Sequence, residues 1–161
     1  MNIDTCNGYL EAFASLNEGA DHACEYALEK LDAGVNLDAA LRSHFEKLGL
    51  LWNESLTKSG RESRSYQWNI EVLPISGDWK PHIEEAAARW FFEQSYSPGV
   101  RAKVARQNVI HGFMSHLSPC VGSSNVYEVQ LSESMWPNVF WEAFAFTSEG
   151  NNFLLHFGWS D

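Results

Sequence analysis

The sequence predicts an α+β domain, and three observations predict it. Leu37, Ala40, Leu41, Phe45, Leu48 and Trp52 recur in a 3-4 pattern behind Asn36, which marks one helical face buried over several turns with a side chain placed to cap it. Tyr66, Trp68, Ile70 and Val72 alternate with Gln67, Asn69 and Glu71, the period of a strand with one face on a core. The last third carries ring-rich runs at 126–131, 139–147 and 152–159, with Ser148-Glu149-Gly150-Asn151 as a hairpin turn.

Taken in order, Cys6, Tyr9, Leu10 and Phe13 space a first helix, and a second is expected from Glu18 to Asp32, where breakers are few. The third is the Asn36-capped helix, and His44 lies on its apolar face, where a histidine is usually a satisfied core or boundary residue. Residues 55–65 turn to Ser, Lys, Gly, Arg and Glu, a polar connector. The strand after it ends at Pro74 and Gly77. Ile83, Ala86, Ala87, Trp90 and Phe91 give a helix from Lys80 to Gln94, and Pro98 opens another to about Leu117. The expected order is N-terminal helices, a strand, two further helices and a short antiparallel C-terminal sheet, in a single domain spanning 1–161.

The chain has 161 residues, 21 acidic against 11 basic side chains and a net charge of -10. With 45% hydrophobic residues, among them 10 Phe, 7 Trp and 5 Tyr, it has the apolar surface to fold despite that charge. The acidity disfavours direct nucleic-acid binding, because each phosphate contact would be made against a repulsive field. No base follows Arg106, and acidic ends flank a nearly neutral middle, so acidic surface is available to a partner or serves solubility.

The N-terminus lacks a basic and an apolar leader region and no run approaches a membrane span, so neither secretion nor membrane association is expected. Cys6, Cys24 and Cys120 form no CxxC and read as buried thiols in a reducing cytoplasm. The six histidines show no metal-ligand spacing, and His111 and His116, five apart, fall on different helical faces. GxSxG, P-loop and GxGxxG motifs are absent. No catalytic residue, cofactor or metal is therefore assigned.

Candidate residues for partner binding come from charge and rings. On the expected second helix Asp21, Glu25, Glu29 and Asp32 fall in one arc, an acidic ridge whose i, i+4 repulsions a basic partner would relieve and whose simpler reading is a solvated face. Glu142 shares strand parity with Phe140, Phe144 and Phe146; burial there raises a carboxyl pKa unless a donor pairs it, and the simpler reading leaves the face partly exposed or shifts it by a bulge. Glu149 and Asp161 add acids, and Trp159 is either core or an aromatic anchor. Arg101, Lys103 and Arg106 point in different directions and are expected to pair internally.

The run Phe140-Trp141-Glu142-Ala143-Phe144-Ala145-Phe146, then Glu149-Gly150, then Phe153-Leu154-Leu155-His156-Phe157-Gly158 and Asp161 resembles the endings of bacterial immunity proteins of contact-dependent growth inhibition and related polymorphic-toxin systems. That group differs in fold among its members, so the resemblance carries over no binding residue. It implies a role: a cytoplasmic protein that binds and neutralises one cognate basic toxin domain, often a nuclease, without catalysis. Acidic surface suits such an inhibitor through steering and charge complementarity. Two other classes stay open: an acidic inhibitor or nucleic-acid mimic of the anti-CRISPR or antirestriction type, and a small hydrolase with a non-contiguous His/carboxylate site. A homodimer is also open.

Overall fold

The computed structural model describes residues 3–19, 21–65, 68–93, 103–132, 138–148 and 150–160. Their order is α1 (Ile3–Asn17), β1 (Ala23–Lys30), α2 (Leu37–Lys58), β2 (Asn69–Pro74), α3 (Lys80–Phe92), α4 (Lys103–Val121), β3 (Asn125–Ser132), β4 (Asn138–Ser148) and β5 (Asn151–Ser160). The strands form one antiparallel sheet in the order β1-β5-β4-β3-β2. The α+β class and the C-terminal strands agree with the sequence reading.

One element differs in kind, and the last helix runs on to Val121, past the expected Leu117, while its expected start at Pro98 lies outside the described residues. The segment expected as a second helix is strand β1, paired with β5 from Ala23 opposite Ser160 to Lys30 opposite Phe153. Its residues Ala, Leu, Glu and Lys are good helix formers, but Cys24, Tyr26 and Leu28 alternate with Glu25, Ala27 and Glu29, and burial against a core decides strand identity more than propensity does. The first three are buried. Helix α1 then lies along the outer edge of this strand: Asn7 Nδ2 donates to the Leu28 carbonyl at 3.0 Å and the Leu28 N–H donates to Asn7 Oδ1 at 2.7 Å, so the backbone groups of Leu28 at mid-strand are satisfied rather than left open to another chain.

Both faces of the sheet are covered, which explains why β4 and β5 read as near-continuous apolar runs. Phe144, Phe146, Leu155 and Phe157 point into a core with α1, α3 and α4. Ala143, Ala145 and Leu154 point the other way, where Leu41 and Phe45 of α2 fill the space the alanines leave. The larger core is tied by polar groups as well: the Trp90 carbonyl at the end of α3 accepts from Asn17 Nδ2 at 2.7 Å and from the Tyr26 hydroxyl at 3.1 Å. These bonds fix α1, β1 and α3 to one another.

Helix α2 follows its sequence signature. Asn36 is the N-cap, in extended conformation, and its side chain accepts from the Ala39 N–H at 2.9 Å. Asn36→Ala is expected to cost about 1 kcal/mol of stability, the usual worth of such a cap, as a lower urea midpoint with unchanged slope. The polar connector begins later than expected, because Ser55 to Lys58 form the last turn of α2. Past Gly60 (φ +74°) the chain folds back along the helix, where Asn53 holds both the N–H and the carbonyl of Arg64, at 2.7 and 2.8 Å. The final hairpin closes as the sequence predicts, with Ser148 opposite Asn151 and Gly150 at φ +82°.

Candidate functional site

Strand parity sends Glu142 of β4 to the same side of the sheet as Phe144 and Phe146, toward α3. The register irregularity between Asn138 and Phe140 precedes it and leaves that parity intact. The side chain is a quarter exposed, and α3 supplies the donors that its position demands. Arg89 Nη2 donates to Oε1 at 2.7 Å and Trp90 Nε1 donates to Oε2 at 2.7 Å. Trp90 is buried and stacked on Phe157 at 5.8 Å, so the indole that orients the carboxylate is itself held by the core. Arg89 also reaches Glu85, one turn back, at 3.1 Å.

Beside this carboxylate lies a cleft of about 520 Å³ between α3 and the β2–β3–β4 side of the sheet. Leu73, Pro74 and Phe144 give it apolar walls; Glu85, Glu128, Glu142 and Arg89 give it charge, and His82 lies at its lining. Glu85 and Glu142 both pair with the Arg89 guanidinium, and Glu128 lines the same cleft, accepting from Gln130 Nε2 at 2.9 Å. Glu85 is exposed and Glu128 partly exposed, while Glu142 is less exposed than Glu85 and is held by two donors. Such a site accepts a basic or cationic side chain, with the apolar walls taking its aliphatic stem.

The acidic ridge is corrected by the strand. In β1, Glu25 and Glu29 lie on one face about 13 Å apart rather than one helical turn apart, and Asp21 and Asp32 lie outside the strand. Asp21 and Glu25 are exposed. Asp32 accepts from Ser43 at 2.7 Å and from Lys47 at 2.9 Å, both on α2. Glu29 sits between two histidines: Oε1 to His156 Nε2 is 3.0 Å and Oε2 to His44 Nδ1 is 3.5 Å. The repulsion expected of a ridge is therefore absent, and partners that the helical reading lacked come from α2 and β5. Trp159 packs on the larger core with its ring edge against His22 at 5.4 Å. Glu149 and Asp161 lie outside the described residues, as do Arg101 and the side chain of Lys103. Arg106 lies over the Phe92 ring at 5.2 Å.

Glu29 and His44 make stability depend on pH. The hydrogen bond from His156 holds the Glu29 carboxyl below its usual range, and burial holds His44 below its usual value against the pull of Glu29. Both folded values are depressed, so the unfolded chain takes up these protons first and stability falls with acid. The contribution of His44 is complete above its unfolded value of 6.5 and is lost as pH falls below it; that of Glu29 is lost below 4.5. Urea midpoints are expected to be level above about pH 7 and to decline through pH 6 and 5, and His44→Gln should remove the upper part of that decline.

Neither His111 nor His116 lines the Glu142 cleft; His116 packs on the Tyr9 ring at 5.8 Å. Among the described residues no group of three or more His, Cys, Asp or Glu is arranged to hold a metal ion, and no helix is long and apolar enough to cross a membrane. No family model and no curated protein matches the chain. Among solved structures it is similar to citrus MAF1, at 10% identity and a TM-score of 0.48 over 98% of each chain, a likeness too slight to bear on function. The partners of Glu142, Arg89 and Trp90, carry no local signal in the sequence; only the parity of Glu142 among phenylalanines pointed to the place.

Proposed function

We propose that the protein is a non-enzymatic inhibitor of the toxin-immunity class, which binds a basic toxin domain and neutralises it from the cytoplasm. The observation that carries this reading is that Glu85, Glu128 and Glu142, with Arg89 among them, line one open cleft in a chain of net charge -10. A lysine or arginine of the partner enters the cleft, exchanges its water for the three carboxylates and lays its stem on Leu73 and Phe144. The overall charge steers the encounter. The resemblance of the C-terminal segment to immunity proteins supports the same class.

The test is co-expression with the C-terminal domain of the protein encoded immediately upstream. Growth rescue by the intact protein, and loss of rescue by Glu85→Lys/Glu128→Lys at unchanged expression, is the expected result. Toxicity undiminished by the intact protein would count against the proposal, as would rescue that survives reversal of the cleft.

A further inference from the structure

The outer face of α2 carries two leucines that the fold does not use. Leu50 is 70% and Leu51 61% exposed, whereas Leu41 and Phe45 of the same helix are fully buried against the sheet. With the exposed pair stand Lys47 and Glu54, and the four residues cover an arc of about 100° on one helical face. The order along the helix is base, leucine, leucine, acid. That order is complementary to itself when reversed. An antiparallel copy centred between Leu50 and Leu51 sets Leu50 against Leu51 of the other molecule, twice, and Lys47 against Glu54, twice.

From this pattern we propose that α2 forms a two-fold antiparallel contact with α2 of a second copy of the chain, joined by Leu50 and Leu51 and flanked by Lys47–Glu54 pairs. Within one molecule Lys47 pairs with Asp32 and Glu54 with Lys58, both at the surface, and exposed pairs of that kind exchange partners at little cost. A cleft of about 500 Å³ lined by Glu46, Leu50, Asn53 and Trp68 lies to one side of the stripe and meets it at Leu50. A contact of one helix face is smaller than the roughly 800 Å² per partner of a stable dimer, so the association is concentration-dependent. The face is separate from the Glu142 cleft and stands whether or not the toxin-binding reading does.

Sedimentation equilibrium on the full chain between about 1 and 500 µM, the range in which so small an interface titrates, tests it. The intact protein is expected to pass from monomer to dimer. Leu50→Glu, on an exposed position that spares the fold, should raise the dissociation constant about tenfold or more, since it leaves two carboxylates in the apolar centre. Lys47→Glu and Glu54→Lys should each weaken the dimer several-fold, and Lys47→Glu/Glu54→Lys together should restore it, because the reversed stripe is again self-complementary. A monomer throughout, a dimer indifferent to Leu50→Glu, or a double variant no better than the single ones would each overturn the proposal.

Discussion

Phe91→Ala is expected to lower unfolding free energy by about 3 to 5 kcal/mol, the upper range for truncating a buried ring. Phe91 is 1% exposed on α3 and is a junction rather than one wall of the core. Its ring stacks on Phe13 of α1 at 4.3 Å and meets Phe113 of α4 edge-on at 5.4 Å and Phe157 of β5 at 6.2 Å. Three other elements therefore lose a contact with α3 at once, and they cannot all close the void, because each is held in place by its remaining contacts in the same core. A loss of that size is a large part of the 5 to 15 kcal/mol typical of a domain, so the variant should show a sharply lower urea midpoint. A loss below about 1 kcal/mol would mean that the helices are not assembled around this ring.

Glu142→Lys is expected to weaken partner binding about hundredfold, as reversal of a fixed charge in an interface does. Two effects add. The cleft loses the acid held by two donors, and a lysine beside Arg89 repels the basic group proposed to enter there. The same change leaves Trp90 Nε1 without its acceptor, at a cost of about 1 to 3 kcal/mol in stability. Glu142→Gln separates the two, since the amide oxygen still accepts from Trp90 while the charge is gone. That variant should keep most of the stability and lose most of the affinity, measured by thermal melts beside binding titrations.

Some of this was readable in the sequence and some was not, for physical reasons. Helix α2 is plain because its cap and its buried stripe lie within one segment, β4 because its alternating phenylalanines and alanines fit a sheet with unequal faces, and β5 because a ring-rich run follows the hairpin turn. Strand β1 was hidden: Ala23 to Lys30 is built of helix formers, and what makes it a strand is β5, some 130 residues away in sequence, together with Asn7 at its edge. The same distance governs the site. Parity marked Glu142 as a carboxylate among rings, but nothing local named Arg89 and Trp90, which lie 53 and 52 residues away. The sequence places Glu29 in a helical arc of acids, whereas its surroundings are His156 and His44, brought to it by the sheet and by α2.

A central place for the cleft can be tested without disturbing the core. Glu85 and Glu128 lie outside the buried core, so their reversal tests charge apart from folding. Titration calorimetry of the purified protein with the upstream-encoded domain, at low and at high salt, is the most direct measurement. The account predicts saturable binding that weakens as salt rises and is reduced tenfold or more by Glu85→Lys/Glu128→Lys. Binding that is absent, or that is unaffected by both the salt and the reversal, would contradict it.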